Sequence, residues 1–175
     1  EKDRHPRFHI GESLLPMNLP ILDRLGVLER VEAIGVRKIG ADFPSPASAA
    51  VIGRKDGHLN DQDTQVFRFD RALTPGLTHA FQVRRDQFDQ LLFEAAREAG
   101  ADARDGVAVT AVDFGADGRP ERALARDAQG EAFEIRPRYL IDASGRDTFL
   151  GNRLKLKHKN PRHQSAALFS HFRGV

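Results

Sequence analysis

Two short stretches of the sequence set glycine beside acidic and hydroxylic residues in patterns that suit a bound ligand. The first is Arg7-Phe8-His9-Ile10-Gly11-Glu12-Ser13-Leu14-Leu15-Pro16. A glycine lets the backbone approach a ligand closely, and a helix entrance behind it presents unpaired N–H groups to negative oxygens. Ser13 can cap the following helix, and Glu12 sits in its opening turn, where negative charge is favoured. These residues read either as a capped helix entrance or as a ligand loop. The second stretch is Tyr139-Leu140-Ile141-Asp142-Ala143-Ser144-Gly145-Arg146. A buried strand ending in Asp-Ala-Ser-Gly puts the Asp142 carboxylate and the Gly145 turn at the carboxyl edge of a sheet, where open α/β folds bind ligands. An ordinary strand-to-loop turn has the same composition.

Other chemistries find little support. The chain of 175 residues has no cysteine, which removes disulfides and thiolate metal sites and suits a cytoplasmic protein. His5, His9, His158, His163 and His171 show no metal-ligand spacing with a third ligand, so no metal is expected. The formal charge is only +2, with acidic and basic residues interspersed. The basic run Lys155 to Lys159, with Arg162 and His163, reads as a solvated loop. No basic stripe with stacking aromatics argues for nucleic acid, and no apolar run reaches the ~18–20 residues of a membrane span.

The elements that must position these stretches follow from periodicity. Pro16 to Gly35 is helical in character: Leu22, Leu25, Leu28 and Val31 form an apolar stripe widened by Ile21, with a break at Gly26 and a stop at Gly35. Lys38 to Phe43, Ala49 to Arg54, Gln65 to Asp70 and His79 to Val83 read as short strands, Phe67 and Phe69 alternating with Arg68 and Asp70. Asp86 to Ala99 carries Phe88, Leu91, Leu92, Ala95, Ala96 and Ala99 on one face before Gly100, a helix. Val107 to Phe114, Arg122 to Asp127 and Ala132 to Ile135 form an antiparallel meander with glycine turns. Tyr139 to Asp142 is a final short strand. The order gives an α/β sheet domain interrupted by inserted antiparallel β segments.

In this order, the segments PRFHIGESLLP, FQVRRDQFDQLLFEAAREAGA and YLIDASGRDTFLGNRL followed by ALFSHFRGV resemble the halogenase-like branch of the FAD-dependent monooxygenases. The resemblance covers nearly the whole chain and implies a partial Rossmann-like FAD-binding domain of the glutathione-reductase type. It implies that Glu1 accepts hydrogen bonds from the adenosine ribose, and that Arg7, Gly11, Glu12 and Ser13 form the loop beside the flavin. Gln82 and Arg85 match the strand-to-helix corner that reaches toward the cofactor, with Arg84 a possible substitute. Asp142 and Gly145 match the second flavin-contacting segment.

The resemblance also implies FADH2 supplied by a partner flavin reductase, dioxygen, and chloride or bromide. The substrate would be a small molecule or an acyl group bound to a carrier protein. In such enzymes a lysine positions or captures the electrophilic halogen. Val36-Arg37-Lys38-Ile39-Gly40-Ala41-Asp42-Phe43 resembles the segment that carries it, although the following Trp-Gly is replaced here by Pro44-Ser45-Pro46. By residue type alone, Lys38 reads equally as an exposed strand lysine.

By the same resemblance, residues 1–36 are part of the FAD-binding domain and 37–83 a β-rich segment of substrate-domain character. Residues 84–153 return to the FAD-binding domain, and 154–175 begin the substrate domain. The chain reads as an internal piece, with the glycine-rich pyrophosphate turn expected upstream, so the isolated piece is expected to be inactive and to bind FAD weakly. Two other functions share some of the motifs: an FAD-dependent reductase of the geranylgeranyl-reductase type, and a non-catalytic flavoprotein-derived module.

Overall fold

A computed structural model describes residues 1–44, 64–73, 76–158, 160–162, 166 and 168–170. The expected strand Ala49 to Arg54 lies outside these residues. The chain forms two compact units, one of Glu1–Val109 with Ala125–Phe133 and one of Thr110–Leu124 with Glu134–Val175. The fold is mixed α and β, as expected.

In the first unit, a 3-10 turn at Pro16–Asn18 leads into α1 (Leu19–Arg24), and α2 (Leu28–Ile34) follows the Gly26 break. The apolar stripe is only partly as expected. Leu22 and Val31 are buried, whereas Ile21 and Leu25 are exposed, and Leu19 and Val27 are buried in addition. The break at Gly26 resets the helical phase, so one spacing does not carry a single face through both helices.

The expected strand Lys38 to Phe43 is two strands. β1 (Val36–Lys38) pairs antiparallel with β4 (Ala80–Gln82), and β2 (Gly40–Pro44) pairs antiparallel with β3 (Thr64–Arg68). The chain changes partners at Ile39, whose carbonyl accepts the Phe69 N–H at 3.0 Å. Phe69 and Asp70 therefore leave the expected strand for a 3-10 turn, Phe69–Arg71, in which Phe69 is buried.

The long helix, α3, runs Arg85–Glu98. Its apolar face joins the core of Leu19, Leu22, Val27, Val31, Phe81, Val83 and Leu91, with Phe88, Leu92 and Ala95 packed against it. Each such side chain stabilises the fold by roughly 1.5–3 kcal/mol on burial, and Phe81 and Val83 carry β4 into this core. The strand that bears Gln82 is therefore anchored by its alternate residues.

The meander is present as β5 (Ala108–Phe114), β6 (Pro120–Arg126) and β7 (Ala132–Ile135), in that spatial order. In the second unit, a 3-10 turn at Gly145–Asp147 precedes α4 (Phe149–Arg153).

Tyr139 to Asp142 is not a strand. Its apolar side chains Tyr139 and Ile141 are 88% and 87% exposed, so no neighbouring strand among the described residues covers them. An apolar strand sequence needs a sheet on both flanks to be buried.

Candidate functional site

Residues 12–14 lie along one side of β4, and β1 lies along the other. The Val83 N–H donates to the Glu12 carbonyl at 2.8 Å and the Leu14 N–H to the Phe81 carbonyl at 2.9 Å, with Ser13 opposite Gln82. Across β4, Val36 faces Gln82 and Lys38 faces Ala80. Strand alternation then puts Ser13, Gln82 and Lys38 on one face while Phe81 points to the core. Ser13 and Gln82 are exposed and Lys38 is half-buried.

The Lys38 ammonium crosses to the loop. Nζ donates to Ser13 Oγ and, at 3.3 Å, to the Leu14 carbonyl. It also stands 5.4 Å from the centre of the Phe69 ring. A cation at that distance is attracted to the ring face. The fold thus joins the candidate catalytic lysine to the candidate flavin loop through residues 25 positions apart in sequence.

Gly11 turns the loop with φ +102°, a conformation L side chains rarely adopt. Arg85, the first residue of α3, reaches this turn: Nη1 donates to the Ile10 carbonyl at 2.7 Å and lies 3.4 Å from the Gly11 carbonyl. The rest of the guanidinium is held by Asp89, through Nε at 2.7 Å and Nη2 at 2.9 Å. The strand-to-helix corner of Gln82 and Arg85 was expected to reach toward the cofactor; in the structure Arg85 contacts the backbone of the loop expected beside the flavin. Arg84 is engaged locally, its Nη2 2.5 Å from Asp86.

At the start of the chain, the Glu1 carbonyl accepts from Val107 N–H at 2.9 Å and the Glu1 nitrogen donates to the Arg104 carbonyl at 3.0 Å. The Glu1 carboxylate accepts from Asp3 N–H at 3.0 Å and from Arg7 Nη2 at 3.2 Å. Burial pushes this carboxyl up, but the Asp3 N–H and the Arg7 charge outweigh it and hold Glu1 below the ordinary carboxylate range. The His5 ring packs 4.9 Å from Phe93 of α3, steadying the segment.

Buried Arg7 Nε and His5 Nδ1 have no hydrogen-bond partner here. An ionised acceptor beside unsatisfied buried nitrogens suits a polar ligand bearing hydroxyl and phosphate oxygens, which is what the ribose side of FAD offers. The residues of this unit therefore fit that part of the cofactor.

Asp142 and Gly145 belong to the second unit, where the acid–serine pair caps α4. Asp142 Oδ2 accepts from Leu150 N–H at 2.8 Å, and Ser144 Oγ accepts from Phe149 N–H at 2.9 Å while donating to Asp142 Oδ1 at 2.5 Å. Gly145, at φ +61°, starts the intervening turn. The Ser144 hydroxyl, then the Leu150 and Ser144 N–H groups, hold the Asp142 carboxyl below the usual carboxylate range.

Because that value lies below the unfolded one, the stabilisation is complete above the unfolded value of about 3.9 and is lost as pH falls through the folded value. A carbon-detected NMR titration is expected to put the Asp142 midpoint below about 3.9, and to show α4 fraying as Asp142 protonates. A midpoint at or above the unfolded value would disprove the cap.

Among the described residues, no group of three or more His, Cys, Asp or Glu could hold a metal. No helix among them is long and apolar enough to cross a membrane. His9 Nδ1 lies 2.8 Å from the Ile10 carbonyl, a local contact within the loop. His163 and His171 lie outside the described residues. Sequence reasoning missed Asp89, although its four-residue spacing from Arg85 on a clear helix was a usable signal. It also missed Ser13 as the partner of Lys38, for which no local signal exists.

A family model for an FAD binding domain matches residues 4–171. The chain is 33% identical over 181 residues to the 1H-pyrrole-2-carbonyl-(peptidyl-carrier protein) chlorinase of Pseudomonas fluorescens, over 98% of this chain and 39% of the relative. Among solved structures, a flavoprotein/dehydrogenase from Cytophaga hutchinsonii superposes with a TM-score of 0.75 at 32% identity, over 92% of this chain and 36% of that one. The myxobacterial chondrochloren halogenase CndH superposes with 0.69 at 28% identity, over 85% and 31%. The chain spans 39% or less of the length of each of these proteins. With the loop, the long helix and the Asp-Ala-Ser-Gly segment in place, the chain belongs to the FAD-binding domain family.

Proposed function

We propose that this chain is the flavin-loop portion of a flavin-dependent halogenase. The observation that carries the reading is the Lys38 ammonium held against Ser13 and the Leu14 carbonyl, on the same strand ribbon as Ser13 and Gln82. Reduced FAD, supplied by a partner reductase, would with dioxygen provide the oxidising power that turns chloride or bromide into hypohalous acid.

Lys38 then has a definite task. Its ammonium is anchored by two oxygens and by the Phe69 face, which leaves a directed N–H for the oxygen or halogen of a hypohalous acid. Glu1 and Arg7 hold the ribose side of the cofactor. Gly11, Glu12 and Ser13 line its isoalloxazine, and Gln82 borders it from β4. Arg85 serves this binding through the loop.

The substrate is an aromatic or acyl group, either free or on a carrier protein; the carrier-bound pyrrole of the Pseudomonas fluorescens relative supports the second source. Residues 1–36 and 84–153 serve the cofactor, while 37–83 and 154–175 serve the substrate. The working compartment is the cytoplasm, where a reductase can supply FADH2.

The test supplies the full-length enzyme with FAD, a flavin reductase, NADH, dioxygen and bromide or chloride, against a panel of free and carrier-bound pyrroles and phenols. Halide-dependent mass shifts of one bromine or chlorine are expected. Hydroxylated product alone, or alkene reduction without halide, would reject the assignment.

A further inference from the structure

Arg85 is oddly placed for a helix. It is the first residue of α3, where the helix dipole disfavours a cation, and its acidic partner lies four residues toward the C-terminus, the less favourable order for such a pair. Helix stability does not explain the pair, but the Gly11 turn does. Nε and Nη2 are both committed to Asp89, and Nη1 is left pointing at the Ile10 and Gly11 carbonyls.

A side-on, two-point contact fixes the plane of a guanidinium, which a single contact would leave free to rotate. The pair is also sheltered, with Arg85 and Asp89 side chains 22% and 12% exposed, so solvent screens it less than the exposed Arg84–Asp86 pair next door. Downstream, residues 12–14 are already fixed by pairing with β4. Upstream of them, Arg85 reaches the turn from α3, at the Ile10 carbonyl that His9 Nδ1 of the loop also approaches at 2.8 Å.

We propose that Asp89 is a positioning residue for FAD binding. It acts through Arg85, orienting it so that Nη1 latches the carbonyls of Ile10 and Gly11 and holds the turn in its cofactor-ready shape. The proposal rests on the reading of residues 7–13 as the loop that lines the flavin. It moves Arg85 from a cofactor ligand to a backbone latch, and it makes the carboxylate at position 89 as important for affinity as the loop residues are.

The experiment titrates FAD into the full-length apoenzyme, following flavin fluorescence, for wild type, Asp89→Asn, Asp89→Glu, Arg85→Lys and Asp86→Asn. Asp89→Asn removes one charged acceptor and is expected to raise the FAD dissociation constant at least about tenfold, the scale of one charge-assisted contact. The melting temperature of its apoenzyme should stay within about 2 °C of wild type. Asp89→Glu keeps the carboxylate and should restore most of the affinity. Arg85→Lys, which cannot grip both Asp89 and the loop, should resemble Asp89→Asn. Asp86→Asn should bind as wild type does.

Wild-type affinity in Asp89→Asn would overturn the positioning role. So would a loss of affinity matched by a large fall in apoenzyme melting temperature, since Asp89 would then be a general stabiliser. A wild-type enzyme that binds no FAD would instead overturn the reading of the loop, and the proposal with it.

Discussion

Lys38→Ala is expected to abolish halogenation by the full-length enzyme while dioxygen consumption by reduced flavin continues at the wild-type rate. The two outcomes separate because the role proposed for Lys38 belongs to the step after oxidant is made. Its Nζ is presented by a three-part anchor of Ser13 Oγ, the Leu14 carbonyl and the Phe69 ring. Removing a positioned proton donor from a reacting group costs about 10²–10⁴-fold in rate, or roughly 3–5 kcal/mol of transition-state stabilisation.

The fold should tolerate the change. Lys38 is half-buried at the end of β1, and truncation leaves Ser13 Oγ and one carbonyl to be satisfied by water, a loss of about 1 kcal/mol. Lys38→Arg keeps the charge but spreads it over a planar fork that cannot sit between Ser13 and Leu14 in the same way, so it is not expected to rescue. Product is measured by mass spectrometry and dioxygen uptake by an electrode. Halogenated product at the wild-type rate from Lys38→Ala would remove Lys38 from the mechanism. Parallel loss of dioxygen uptake would show that the lysine supports the flavin rather than the halogen.

What the sequence made legible is what local rules govern. The helix expected at Asp86 to Ala99 is found at Arg85–Glu98, because a continuous apolar face and a closing glycine are short-range signals. The meander follows for the same reason, with Gly118 and Gly130 in its turns. Features set by non-local pairing were illegible. That Ser13 meets Lys38 depends on β4, which enters from residues 80–82 to lie between them.

The partner change at Ile39, which splits one apparent strand in two, depends on Phe69 arriving from thirty residues away. The Asp-Ala-Ser-Gly segment shows a third limit. Its apolar lead-in has the composition of a buried strand, yet the acid and serine are used to cap α4, a function a strand pattern does not announce. The sequence singled out the positions to examine, but the contacts of Arg85 with the Ile10 carbonyl and of Ser13 with Lys38 came only with the fold.

Gly11→Ala carries the second large effect, and it acts through the backbone. At φ +102° an L side chain is strained, at a cost of about 1–3 kcal/mol. The added Cβ would also lie 3.1 Å from Arg85 Nη1, tighter than an ordinary contact, so the guanidinium must give way. The strain cannot pass downstream, where Glu12 and Leu14 are pinned to Val83 and Phe81. It must relax upstream, through Ile10, and that movement breaks the latch described above.

The cofactor then meets a loop that has to be reshaped on binding. If the strain is relieved in the free enzyme and restored in the complex, FAD affinity should fall by about 5–150-fold, the equivalent of the same 1–3 kcal/mol. Gly118→Ala provides the comparison, since Gly118 also has positive φ, +76°, but turns the β5–β6 hairpin with open space around it. That variant should lower the melting temperature and leave FAD affinity unchanged, whereas Gly11→Ala should lower FAD affinity. Equal FAD affinity in wild type and Gly11→Ala would mean that the turn is free to adopt another shape, and that its glycine serves only the helix entrance behind it.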